Sequence, residues 1–394
     1  MRSRRVTTAA FATAFLASGW IVAGPAEGAE MHGSVAQVIQ VLPAFDNPEG
    51  AIFSADGTHV FVSNAAELGD KTEGLAWGEG IGYISKLKVL ESGKLEMVEP
   101  KLIDGLTAPL GMGVLPVATG TFPKGTIFAC VGSAPFRTAT GEAVTDPARM
   151  RTKLLAFDES GKVLGEIDTG SGSIFEEING SPVLLINALG FDGDGNLYFA
   201  DTAFGGDQFE PKFEGKPGLW KIPAASLDAL AAGEKPAEMP TFLMVPGFPD
   251  GVEVSPKDGM VYVNTVGPVA GAPDPANGGI YAVSDMTAAL PAPVDRDLGA
   301  LDGLDFTAGG TMLNSQIKGD VPVAITVTCP GGKSTALAFD PETTLSGPAD
   351  VAIRRSSGAQ LMVIPELTAR DSTPGDDEVT VVLLPADFDG ACMK

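Results

Sequence analysis

Six positions of this 394-residue chain stand at the same point of a recurring unit: Glu49, Leu110, Asn187, Asp250, Asp302 and Asp350. Each precedes a short apolar run. If one opening gathers them, four carboxylates, an amide and a leucine face each other there. Carboxylates forced together repel, so a cation must sit among them or some must keep their protons. Oxygen-only donors select a hard cation, and Ca²⁺ accepts them in flexible geometry with waters completing the shell. The chain holds only two histidines, His32 and His59, and neither has a histidine partner at metal-ligand spacing. A Ser-His-Asp triad, a histidine dyad and a zinc site are therefore not expected. Any chemistry runs on carboxylates, amides, hydroxyls or an oxygen-bound metal.

Two alternatives compete with that reading. Pro48-Glu49-Gly50, Pro249-Asp250-Gly251 and Leu301-Asp302-Gly303 are also ordinary turn sequences. Recurrence at one point of the unit favours a shared site for Glu49, Asn187 and Asp250. Asp302 and Asp350 are additional axial candidates, and Asp350 lacks the following glycine. Asp192-Gly-Asp194-Gly-Asn196 imitates the start of an EF-hand loop, but Leu197 stands where glycine is required and Ala203 where glutamate is required. It is expected to be a hairpin turn.

The elements that must position these residues are hairpins. Pro48–Gly57 leads into Val60–Asn64, Ile186–Gly195 into Asn196–Asp201, and Pro249–Gly259 into Met260–Asn264. Leu301–Gly310 leads into Thr311–Asn314, Ala349–Arg354 into Gln360–Ile364, and a weaker copy joins Pro109–Val114 to Thr126–Cys130. Gly and Asp supply the turns that such hairpins demand. Further strand-like runs lie between copies, including Tyr83–Val89, Lys153–Phe157, Lys162–Ile167, Gly218–Ile222, Gly279–Val283 and Val323–Val327. About four strands per unit and six units predict an all-β, six-bladed β-propeller, with four-stranded antiparallel blades around a central channel. The C-terminal run Glu378–Leu384, or the N-terminal Ser34–Ile39, would complete a blade shared by the two ends. Ala225–Ala232 is the best short helix. A double β-sandwich is the rival, and it does not explain the recurring polar anchor.

The ends and composition set the context. Met1–Arg5 carries three arginines, an apolar small-residue stretch follows to Gly24, and cleavage after Ala26 or Ala29 fits equally well. Residues 1–29 therefore read as a cleaved signal peptide and 30–394 as one domain, in a periplasmic or secreted protein with no membrane span after cleavage. Removing residues 1–29 takes away three arginines and one glutamate and moves the formal charge from −24 to −26. Such a surface repels nucleic acid and anionic lipid and suits a small neutral or cationic ligand. Solubility alone is the plainer account of the charge. The 50 glycines and 30 prolines in a chain that is 44% hydrophobic fit many short strands around a large core. An exported chain can pair Cys329 with Cys392 and leave Cys130 buried; three free thiols are the alternative.

At its anchors the chain resembles the SMP-30/gluconolactonase family of six-bladed propellers. Pro48-Glu49-Gly50 looks like the first-blade metal glutamate, and Asn187 like the mid-chain metal asparagine. Phe248-Pro249-Asp250-Gly251 looks like the aspartate that is both metal ligand and catalytic base. The resemblance implies one divalent cation, usually calcium, on the axis, and hydrolysis of lactones or related esters. The family commonly has an Asn-Asp pair in the intervening blade; here that place reads Pro109-Leu110-Gly111-Met112. A different substrate pocket is expected. The alternative is a non-catalytic propeller that uses the metal as a plug and binds a small molecule or partner protein.

Overall fold

Short runs rich in Val, Ile, Leu and Phe, closed off by Gly, Asp and Pro, become strands along the whole chain. The computed structural model describes residues 31–68, 77–132, 136–144, 146–149, 151–203, 216–267, 278–318, 324–340, 345, 347–356, 358–367 and 377–392. The expected signal peptide lies outside the described residues, as do residues 268–277 of the Gly-rich stretch 267–279. No described helix is long and apolar enough to cross a membrane.

The strands that carry or directly follow the anchors stand at the ends of the larger sheets. They are β1 (Pro48–Phe53), β2 (Met112–Val114), β3 (Ile186–Phe191), β4 (Pro249–Val254), β5 (Ala300–Phe306) and β6 (Ala352–Arg354). β1, β2, β3 and β4 each lead a separate four-stranded sheet in which neighbours pair antiparallel. The expectation of six separate blades is corrected at this point: among the described residues the structure has four such sheets, one eight-stranded sheet that begins at β5 and ends at β6, and a two-stranded hairpin of Phe136–Arg137 with Ala143–Val144. The N-terminal strand Met31–Leu42 is the cause. It is long enough to pair on two sides, parallel to Ser334–Phe339 through its first half and antiparallel to Glu378–Leu384 through its second. Both chain ends thus meet in one sheet.

Core packing runs from sheet to sheet. Phe61 and Ile84 pack with Met112, Ile127 and Phe157. Phe128 and Leu154 pack with Leu189, Phe199 and Trp220. Ala200 and Leu219 meet Val252 and Val261, and Ile280 meets Leu301 and Leu304. Leu313 and Ile325 pack with Val351 and Ile353, and Val363 and Val379 return to Ala51 and Val60. The sequence of contacts closes on itself, so the first residues of β1 to β6 converge on one axis. Ring contacts such as Phe122–Phe128 (5.1 Å) and Phe175–Trp220 (5.1 Å) fill the space between sheets.

Helix is sparse. α1 (Ile174–Asn179), which the sequence reading missed, is capped by Ser173. α2 (Leu227–Ala231) follows a 3₁₀ turn at Ala224–Ser226 and falls inside the expected Ala225–Ala232. α3 (Phe388–Ala391) is held by the disulfide Cys329–Cys392, while Cys130 is a buried free thiol.

Candidate functional site

Four anchors sit on β-bulges. In β1, Pro48 faces Asn64 and Ala51 faces Val62, so Glu49-Gly50 contains one residue more than the partner strand. The same count holds around Asn187-Ala188 in β3, Asp250-Gly251 in β4 and Asp302-Gly303 in β5. A bulge leaves one residue outside the ladder and re-aims its side chain. The turn reading of these tripeptides is therefore replaced: they lie inside strands. Two partners that sequence reasoning missed satisfy the loosened backbone. The Gly50 N–H donates to Ser63 Oγ (2.8 Å), and the Gly251 N–H to Asn264 Oδ1 (2.8 Å). Glycine follows the anchor because the next strand is too close for a side chain. A Cβ on Gly50 would lie 2.7 Å from the Leu110 carbonyl oxygen, and one on Gly251 would lie 2.4 Å from that of Asp302.

The backbone just before the anchors is strained. Asn47, Ala108 and Phe248 have φ of 55°, 40° and 64°, and each immediately precedes a proline. A residue before proline favours extended backbone, and a bulky one at positive φ is an outlier costing about 1–3 kcal/mol. Local bonds hold it there. Asn47 Oδ1 accepts from Trp77 Nε1 (2.9 Å) and its Nδ2 donates to Glu67 Oε1 (3.0 Å). The Phe248 carbonyl accepts from Val266 N (3.0 Å). The only hint in the sequence was the recurring proline.

Glu49, Asn187, Asp250 and Asp302 are buried together. Burial first, then the charges of Asp250 and Asp350, pushes the Glu49 carboxyl well above its usual range. Burial raises Asp250 to about 7, against hydrogen bonds with Asp302 and Asn187 that favour its ionised form. Asp302 is raised well above its usual range by burial and by the charges of Asp250 and Glu49. Asp250 Oδ1 is buried with no hydrogen-bond partner. Asp350 is only half-buried, and it is engaged otherwise: Oδ2 accepts the Ala51 N–H (3.0 Å) and Oδ1 the Val351 N–H (2.7 Å). It clasps β6 to β1.

The donor set fits a hard cation in kind: two carboxylates and an amide oxygen, with one oxygen of the Asp250 carboxylate buried and unpaired. Among the described residues, no three or more His, Cys, Asp and Glu side chains are grouped so as to hold a metal ion. Glu49, Asn187 and Asp250 include only two of those types.

Leu110 does not face the opening, contrary to expectation. It is fully buried and packs with Ala65, Trp77, Ala108, Cys130 and Phe136. Asp201 is a further residue that sequence reasoning did not assign. Its Oδ1 accepts the N–H groups of Leu184 (3.3 Å), Leu185 (3.2 Å) and Ala203 (2.9 Å), which shapes the approach to Asn187. The Asp192 segment is a hairpin turn, with Asp192 Oδ1 accepting from Asp194 N and Asn196 N. Two surface cavities lie away from the anchors. One of about 500 Å³ is bordered by Thr107, Phe136, Arg151 and Lys153, and one of about 460 Å³ by Asp56, Lys124 and Asp158.

Several solved structures share this fold. One is a candidate gluconolactonase, 14% identical over 90% of this chain and 94% of that one, with a TM-score of 0.50. Gluconolactonase-like proteins are among the structural neighbours. A protein of unknown function from Dyadobacter fermentans is 12% identical over 89% of this chain and 99% of its own, with a TM-score of 0.55. A gluconolactonase from Xanthomonas campestris reaches a TM-score of 0.45 at 14% identity, over 88% of this chain and 98% of that one, too low to carry an argument. At such identities the likeness speaks for the fold. No protein-family profile and no curated protein sequence matches the chain.

Proposed function

We propose that this protein is an exported, divalent-cation-dependent hydrolase of lactones or related esters, working on the axis of a six-bladed propeller. In this reading the eight-stranded sheet is two blades, β5 with its three followers and β6 with its two followers and the N-terminal strand. The parallel pairing of Met31–Leu42 with Ser334–Phe339 is then a contact between blade edges. One observation carries the functional reading. Three residues of the right donor types, Glu49, Asn187 and Asp250, are re-aimed by bulges at the head of three inner strands, and Asp250 retains an unpaired buried oxygen.

Glu49 and Asn187 would hold the cation, most fittingly Ca²⁺, with Asp250 as the third ligand. When bound, the cation supplies Lewis-acid polarisation of the substrate carbonyl. Asp250 takes the proton from the attacking water, and its carboxyl then returns it to the leaving alkoxide. Water adds across the acyl–oxygen bond and a hydroxy acid, or an acid and an alcohol, results. Asn187, within hydrogen-bonding reach of Asp250, keeps that carboxylate oriented. Burial of the group excludes the bulk water that would otherwise weaken these interactions.

Asp250→Asn tests the reading. Turnover on a panel of lactones and aryl esters is expected to fall by about a hundredfold or more, with circular dichroism and melting temperature close to the parent's. Parent-rate hydrolysis by the variant would falsify it. The buried Leu110, where the family carries a polar pair, favours a second reading: a metal-plugged propeller that binds a ligand without turning it over. Retained metal with no hydrolysis across the panel is the outcome that selects it.

A further inference from the structure

The backbone on both sides of Asp250 is tied by buried side chains, and one of them comes from the neighbouring sheet. After Asp250, the Gly251 N–H donates to Asn264 Oδ1 (2.8 Å), within the sheet led by β4. Before it, the Pro249 carbonyl accepts from Thr202 Oγ1 (2.7 Å), a fully buried hydroxyl of the sheet led by β3. Proline has no N–H, so its carbonyl is the group through which the chain just before Asp250 can be tied.

Thr202 is itself firmly placed. It directly follows the strand Leu197–Asp201, and its N–H donates to the Leu185 carbonyl (2.9 Å), two residues before Asn187. Asp201 Oδ1 accepts the N–H groups of Leu184, Leu185 and Ala203. Ala203 takes a φ of 54°, uncommon for a residue with a side chain. Residues 201–203 thus touch the approach to Asn187 through backbone and the approach to Asp250 through one hydroxyl.

The repeat shows that the strand end does not need this hydroxyl. At the same point of the sheets led by β1 and β4 stand Ala65 and Val266. Their N–H groups make the matching bonds, to the Asn47 carbonyl (3.0 Å) and the Phe248 carbonyl (3.0 Å). Neither has a side-chain donor. The Thr202 hydroxyl is an addition to the unit, and its bond runs to the residue before Asp250. Removing it would leave a buried carbonyl one donor short and free the chain there to shift.

We propose that Thr202 is a positioning residue for Asp250, resting on the proton-transfer role proposed for that carboxylate: its hydroxyl, with Asn264 on the other side, fixes the backbone on which the carboxylate stands. Thr202→Val and Thr202→Ala remove the hydroxyl and install the residue types that the other two sheets carry at this point. Thr202→Ser keeps the donor. Crystal structures and kinetics on lactones and aryl esters, taken well below the melting temperature, are read together. The Val and Ala variants are expected to show the Asp250 carboxylate displaced between unmoved sheets. Their kcat is expected to fall by about tenfold, with KM close to the parent's. Thr202→Ser is expected to restore both position and rate. A merely structural bond would lower the melting temperature and change neither. An Asp250 carboxylate that stays in place therefore overturns the proposal, and so does a parent-level kcat in an active protein. Failure of both the Val and Ala variants to fold overturns it too, because the bond would then hold the sheets together. A parent that hydrolyses nothing on the panel sinks the hydrolase reading alone, and the place of Asp250 in the variant crystals then decides the role of Thr202.

Discussion

Single residues at the head of each inner strand decide more here than their size implies. Glu49, Asn187, Asp250 and Asp302 are polar groups placed where a ladder hydrogen bond has been given up, and the residue after three of them is glycine because the adjacent backbone leaves no room. Gly251→Ala puts a methyl group against the Asp302 carbonyl, and both elements are backbone that cannot swing away. We expect destabilisation of about 1–3 kcal/mol from the overpacking, measured by urea denaturation. A larger loss of Ca²⁺ affinity than of stability should accompany it, because the clash displaces Asp250 itself. A variant as stable as the parent would show that β4 and β5 are further apart than described.

Among the elements, the terminal strand and helix act as the fastener. Met31–Leu42 pairs with strands from two parts of the chain, and α3 is tied to the turn after Ile325–Thr328 by Cys329–Cys392. Asp389 of α3 also accepts from Gly309 N (3.1 Å) and Gln360 Nε2 (3.3 Å), and from Thr307 Oγ1. The bridge closes a long segment, with a sequence separation of 63. Replacing both cysteines by serine is expected to lower stability by about 2–4 kcal/mol, read as a drop of a few degrees in melting temperature, and to leave ion binding at Asp250 intact. Equal melting of the parent with and without a thiol reductant would remove the fastener role. Three cysteines left the pairing of Cys329 with Cys392 open beside unpaired thiols; the structure decides it by bringing together partners with a sequence separation of 63.

For the whole molecule, the buried acids give stability a pH dependence. Burial places Asp250 and Asp201 at about 7 and Asp350 at about 8, above the ordinary value of 3.8. The folded chain therefore keeps protons that the unfolded chain releases above about pH 4. Where the native state binds more protons, stability falls as pH rises. Ion-free protein is expected to lose melting temperature steadily between about pH 4 and pH 8. Millimolar Ca²⁺ should flatten most of that slope by stabilising the ionised Asp250 and Glu49. Calorimetry in chelator and in Ca²⁺ measures both, and a flat profile in chelator would contradict the burial of these groups.

By itself the sequence determined the all-β character, the hairpin at each repeat, the point in the unit where polar anchors recur, and the scarcity of histidine that leaves oxygen donors for any chemistry. These are local matters: period-two apolar runs, turn residues and composition need no knowledge of what lies across the molecule. Tertiary structure alone decided the rest. It turned Pro-Glu-Gly and Pro-Asp-Gly from turns into bulges, because register depends on the partner strand. It moved Leu110 from the opening into the core, gave Asp350 to the Ala51 backbone and brought Asp302 against Asp250. Each of these depends on which strands stand side by side around the axis. That arrangement is fixed by packing between sheets that lie tens to hundreds of residues apart in the chain, so no short window of sequence contains it.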